Sequence, residues 1–202
     1  MTFTLIFDCE FLTAEGAQSR FWCGPHDPDP VVAQIGAVKM GLTGDFPILD
    51  THRSFVIPRA RDGARRALDP FFTRLTGVSE EDIDRDGVPL ADALENLRSF
   101  AAEEKLWSWG KDEFNLIAIS CFVEGLSPPI PATRFGNACT LLLKAGMPYE
   151  DMKKTPSNRL AEYYRLNHPP LRGDDALDDA LSVSYVIQHL LRQGALTRRD
   201  FA

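Results

Sequence analysis

Two carboxylates stand two residues apart near the start of the chain, in Leu5-Ile6-Phe7-Asp8-Cys9-Glu10. The apolar run from Phe3 to Phe7 predicts a buried strand with the acids at its end. Side chains two apart on a strand share a face, so the oxygens of Asp8 and Glu10 can converge on one point. Such a pair repels unless a proton or a cation lies between the two groups. Mg²⁺ or Mn²⁺ would suit it, because hard divalent cations favour oxygen ligands. Taken alone, the pair reads more plainly as two solvated acids at a strand end.

A second acidic stretch, Gly173-Asp174-Asp175-Ala176-Leu177-Asp178-Asp179-Ala180, bears on that choice. On a helix Asp175 and Asp179 are neighbours one turn apart, flanked by Asp178. Acids at a helix N-terminus gain roughly 0.3–1 kcal/mol each from the dipole, which accounts for Asp174 and Asp175. It accounts poorly for Asp179, which lies more than a turn inside and beside the apolar Ala180 stripe. A carboxylate turned toward a core needs a partner, and a metal is a good one.

The elements that must position these acids follow from patterning. Val31 to Met40 predicts a second strand and Ser54-Phe55-Val56-Ile57 a third, joined by short turns as an antiparallel meander. Asp69 caps a short helix with Pro70 at its first position, ending at Gly77, and Ser79-Glu80-Glu81-Asp82 opens another. Leu90, Ala93, Leu94, Leu97, Phe100 and Ala101 have one-sided helical spacing. Lys105 to Trp109 predicts a strand ending at Gly110, and residues 112–123 a mostly buried helix. Leu141 to Leu143 and Leu160 to Leu166 fall in two further helices. A long amphipathic helix over about residues 174–193 closes the chain, with Leu177, Ala180, Leu181, Ser184, Ile187 and Leu191 inward. Strands, helix, strand and helices in that order predict an α/β domain with a mixed sheet.

The chain has 202 residues, 44% hydrophobic and 25% charged, which suits one globular domain over 1–202. No apolar run is long enough to span a membrane, and the N-terminal stretch supplies a core strand rather than a signal peptide. Cys9, Cys23, Cys121 and Cys139 form neither a disulfide framework nor paired zinc spacing, although Cys23-Gly24-Pro25-His26 has the look of half a zinc site. Reduced thiols imply a cytoplasmic setting. The net charge of -7 argues against a protein that coats nucleic acid by bulk electrostatics. It leaves room for an enzyme gripping a few nucleotides, since gathered metal ligands lower the net charge. Local basic groupings remain at Arg59, Arg61, Arg65 and Arg66, and at Lys153, Lys154, Arg159, Arg165 and Arg172.

Five pieces in order resemble the DEDD (DnaQ-like) 3′–5′ exonucleases, most closely their KapD-like and Eri-like branch. They are Asp8-x-Glu10, Gln34-Ile35-Gly36-Ala37-Val38, Leu75-Thr76-Gly77-Val78, Trp109-Gly110 before a helix, and Ala176-Leu177-Asp178-Asp179-Ala180. The resemblance spans Phe3 to about Leu191. It implies a ribonuclease H-like five-stranded mixed sheet flanked by helices, four acids holding two Mg²⁺ or Mn²⁺ ions, and a His or Tyr that activates water. It also implies removal of nucleoside monophosphates from a single-stranded DNA or RNA 3′ end. Asp8, Glu10 and Asp179 match three of the acids. The third in order falls at Glu113, where Asp is usual, with Asp112 adjacent as an alternative. The base departs from the pattern: the His position is Asp174 and the Tyr position is Asp175, with His168 upstream as a substitute.

Such a hydrolysis needs an activated water and stabilised entering and leaving oxygens, which two metals supply. Asp has an ordinary pKa of about 3.9 and is a weak base beside His, so the expected activity is reduced. A degenerate relative that binds nucleic acid or a protein partner without cleavage is the alternative. A phosphatase with an Asp nucleophile fits less well, because Glu10 replaces its second Asp. Phe11, Phe21 and Trp22 are candidates for stacking on terminal bases. Oligomeric state, a homodimer included, is left open.

Overall fold

The computed structural model describes residues 2–202. Its sheet has six strands in the order β4-β3-β2-β1-β5-β6. They are β1 (Phe3–Phe11), β2 (Val32–Gly41), β3 (Ile48–Val56), β4 (Gly87–Val88), β5 (Leu106–Ser108) and β6 (Phe135–Asn137). β1 pairs antiparallel with β2 and parallel with β5, so the sheet is mixed as expected. It has six strands rather than five, and the shortest, β4, pairs parallel with the end of β3.

Among the described residues eight α-helices surround it: α1 (Pro70–Thr76), α2 (Glu80–Asp86), α3 (Leu90–Ala101), α4 (Asp112–Glu124), α5 (Ala138–Lys144), α6 (Tyr149–Met152), α7 (Leu160–Tyr163) and α8 (Ala176–Arg192). The predicted starts of α1 and α2 hold. Asp69 accepts from the Phe71 N–H with Pro70 at the first position, and Ser79 and Asp82 form a capping box. The helix expected over 160–166 stops at Tyr163, and Arg165 takes a left-handed φ of 54°. Among the described residues no helix is long and apolar enough to cross a membrane.

β1 is central and buried on both faces, which explains its unbroken apolar run. Leu5, Phe7 and Cys9 face one core with Leu90, Leu94 and Leu97 of α3 and Leu116 and Ile117 of α4. Ile6 faces the other, with Val38, Met40 and the α8 residues Ala180, Val183, Ile187 and Leu190. Period-two alternation therefore turns Asp8 and Glu10 toward α8. β1 runs on through both acids to Phe11, whereas the sequence pattern placed them at its end.

Gly36 on β2 lets α8 approach, because a Cβ there would lie 2.2 Å from the Leu177 nitrogen. β2 pairs Gly36 with Asp8 and Gln34 with Glu10, so the close approach is directly beside the acids.

Candidate active site

Asp8 and Glu10 of β1 and Asp179 of α8 each offer a carboxylate oxygen, all within 4.8 Å of one another. They line a cleft of about 580 Å³ together with Glu113, Asp112 and Asp174. Asp8, Glu113 and Asp179 are buried. Asp179 Oδ2 accepts from Ser157 Oγ at 3.5 Å. Asp179 Oδ1 and Glu113 Oε2 are buried without a hydrogen-bond partner among the described residues.

Burial, reinforced by neighbouring acids, raises the proton affinity of Asp8, Glu10, Glu113 and Asp179. Glu10 is pushed up to about 9 by burial and then by Asp179, Asp174 and Asp175. Asp179 rises to about 7, again through burial first and then through Asp174 and Asp175. Asp8 is raised well above the carboxylate range by burial, then by Glu113, Glu10 and Asp179. Glu113 is raised chiefly by burial. Carboxylates this close hold protons or a cation between them. The unpartnered oxygens of Asp179 and Glu113, in an all-oxygen donor set, fit a hard divalent cation.

The two candidates for the remaining acid differ in burial. Glu113 is buried in the first turn of α4, whereas Asp112, also at the cleft, is exposed. Asp174 lines the cleft, but it lies before α8 rather than in it. Its φ is 59°, and Asp175 is the N-cap. Asp is among the residues that tolerate this left-handed conformation. Burial raises the Asp174 pKa, with the Arg172 charge opposing. His168 is not in the cleft lining; its Nδ1 lies 2.7 Å from the Pro169 carbonyl and its ring stacks on Tyr185.

Of the aromatic candidates, Phe11 and Trp22 line the cleft and meet at a ring separation of 6.2 Å. Phe21 does not join them. Adjacent left-handed φ values at Phe21 and Trp22 send the Phe21 ring outward, where it is 83% exposed. Leu75, Gln18 and Ser157 also line the cleft. Leu75 was marked by the Leu-Thr-Gly-Val motif, but nothing in the sequence signalled Gln18 or Ser157. The basic groupings are partly neutralised at the surface: Arg61 pairs with Asp29, Arg65 with Glu80 and Asp84, Lys153 with Glu150 and Arg159 with Glu162.

No protein-family model and no curated protein matches the sequence. Solved structures do match. The nuclease domain of 3′hExo, a DEDDh family member bound to rAMP, superposes with a TM-score of 0.73 at 18% identity over 97% of this chain and 94% of that one. Cell-death related nuclease 4 (CRN-4) gives 0.70 at 19% identity over 95% of this chain. E. coli exonuclease I with a dA16 oligonucleotide gives 0.59 at 13% identity over 100% of this chain. This chain spans 64% of the CRN-4 chain and 42% of exonuclease I. The chain has the fold of the DEDD exonucleases.

Proposed function

We propose that this chain is a metal-dependent 3′–5′ exonuclease acting on single-stranded DNA or RNA ends through a single exonuclease-like domain. The observation that carries the reading is the convergence of Asp8, Glu10 and Asp179 within 4.8 Å, from a strand and a helix far apart in sequence. Asp8, Glu10, Glu113 and Asp179 would hold two Mg²⁺ or Mn²⁺ ions. Such ions supply an activated water and stabilise the entering and leaving oxygens of the phosphodiester.

The rest of the chemistry falls to side chains. Asp174, at the cleft wall, accepts the proton of the attacking water on a carboxylate oxygen. Burial raises its pKa in the metal-free protein. Phe11 and Trp22 offer an aromatic wall for the terminal base, and stacking of this kind is tolerant of sequence. Asp174 in place of His also favours a second reading, in which the cleft binds a strand end without cutting it.

A single-stranded oligonucleotide labelled at its 5′ end separates the two. With Mn²⁺ the wild type should shorten it from the 3′ end into a ladder, and Asp8→Asn or EDTA should stop this. Retarded but intact oligonucleotide would favour the binding reading. A ladder that persists in Asp8→Asn would refute the assignment of the site.

A further inference from the structure

Asp175 is buried at the base of the acidic group, yet it does not join the three acids that converge. Its carboxylate is already fully engaged. Oδ1 accepts from Arg53 Nη2 at 2.7 Å and from the Leu177 and Asp178 N–H groups, each at 3.1 Å. Oδ2 accepts from Gln34 Nε2 at 3.2 Å. Gln34, only 1% exposed, turns its own Oε1 to the Ala176 N–H at 2.9 Å. The Asp179 N–H donates to the Asp175 carbonyl at 2.9 Å. The Ala176, Leu177 and Asp178 N–H groups, which a helix leaves open at its start, are thus taken up by side chains, two of them by Asp175.

The donor and acceptor pattern admits one orientation of Gln34. Turning its amide over would set N–H against the Ala176 N–H and oxygen against the Asp175 carboxylate. Arg53 on β3 is paired with Gly36 on β2, and Gly36 with Asp8 on β1, so the guanidinium reaches Asp175 from the same row of the sheet that carries the acids. α8 is therefore bolted to β2 and β3 at its first residue. Asp179 is one turn further along. Among the described residues no other ion pair joins the N-terminus of α8 to the sheet.

We propose that Gln34, Asp175 and Arg53 form a positioning clamp that sets the distance of Asp179 from Asp8 and Glu10, with Asp175 serving as a latch rather than as a metal ligand. The proposal rests on the reading of the acid group as a metal site. Without the Arg53 charge the carboxylate of Asp175 is left incompletely paired, and the first turn of α8 moves. The strand-borne acids stay where they are. The metal site then loses the contribution of Asp179, while the aromatic wall for the substrate is untouched.

The test measures Mn²⁺ binding directly, by electron paramagnetic resonance of the free ion, alongside kcat and KM on a single-stranded oligonucleotide. Arg53→Met should weaken Mn²⁺ binding and lower kcat by about 10–100-fold, the range seen when partners that orient metal ligands are removed. KM should change by less than about threefold. Arg53→Lys keeps one charged donor for the one oxygen that Arg53 Nη2 reaches, and it should recover most of both losses. If Arg53→Met does not fold, Arg53→Gln, with a neutral donor on a shorter arm, is read for the same split. Unchanged Mn²⁺ affinity and kcat in a folded Arg53 variant would overturn the clamp. So would a variant in which Lys rescues stability but neither quantity. A wild type that binds no Mn²⁺ would instead overturn the reading of the site itself.

Discussion

Asp179→Asn should make the metal-free protein more stable, although it removes a side chain of the candidate site. The Asp179 carboxyl has an ordinary value of 3.8 and is raised to about 7, first by burial and then by its acidic neighbours. At about 1.4 kcal/mol per pH unit, ionising it in the fold works against stability by about 4 kcal/mol once the pH exceeds both values. The sign follows from proton counts: between pH 3.8 and about 7 the folded state holds this proton and the unfolded state does not. Metal-free stability therefore falls as pH rises through that window. Asn removes the charge at nearly constant shape. We expect about 3 kcal/mol of the penalty to be recovered, because the buried amide keeps only the weak contact to Ser157. For a chain of this size that is a rise in Tm of about 6–12 °C. The assay is thermal unfolding in EDTA at about pH 8 and again at about pH 4. The gain should be present at the higher pH and mostly lost at the lower, where the carboxyl is neutral in the fold and only about half ionised in the unfolded chain. A Tm in EDTA at pH 8 that is unchanged or lower, or a gain equal at both pH values, would refute the argument.

Other outcomes follow from the same site. Millimolar Mn²⁺ should raise the Tm of the wild type by mass action and leave Asp8→Ala unmoved, read by thermal unfolding with and without the ion. That stabilisation should grow between about pH 6 and 9, because the metal must displace protons from Asp179, raised to about 7, and Glu10, raised to about 9; a flat pH profile would contradict it. Asp174→His should speed Mn²⁺-dependent cleavage by about 10²–10⁴-fold if proton transfer limits the rate, with a limb rising near neutral pH. No gain in a variant that still binds Mn²⁺ would remove position 174 from the base role. Trp22→Ala should raise KM for single strands, by an amount near the roughly 1–3 kcal/mol of one stacked base, whereas Phe21→Ala should leave it unchanged.

Much of this arrangement was legible in the sequence, and the omissions have physical causes. The central strand, the capped helices α1 and α2 and the amphipathic α8 carry strong local signals: unbroken apolar residues, Asp-Pro, a capping box and helical periodicity. β3 was read only over its apolar end, because Asp50-Thr51-His52-Arg53 is polar and lies on a sheet surface that is largely exposed. The loss of that half hid Arg53, and with it the contact to Asp175. β6 was missed altogether. Its three residues, Phe135-Gly136-Asn137, have no period to detect, and their strand geometry comes from pairing with β5.

Within the site, Asp8, Glu10 and Asp179 could be named because alternation and helical spacing dictate their directions. The choice between Asp112 and Glu113 could not be made, since adjacent residues at a helix start differ only in which side the helix turns to the sheet. The acids suggest a start for α8 at about 174, two residues before Ala176, because four acids favour a helix N-terminus equally well by charge. Asp175 makes the cap through hydrogen bonds that reach back to β2 and β3.

The most direct measurement of the central claim is the product formed in ¹⁸O-labelled water. A single-stranded oligonucleotide incubated with the protein and Mn²⁺ should release nucleoside 5′-monophosphates from its 3′ end, each with one ¹⁸O on its phosphate by mass spectrometry. That is the outcome of water attacking phosphorus and the shortened strand leaving as a 3′ hydroxyl. Products ending in a 3′ phosphate, internal fragments without mononucleotides, or no product with Mn²⁺ bound would contradict the account.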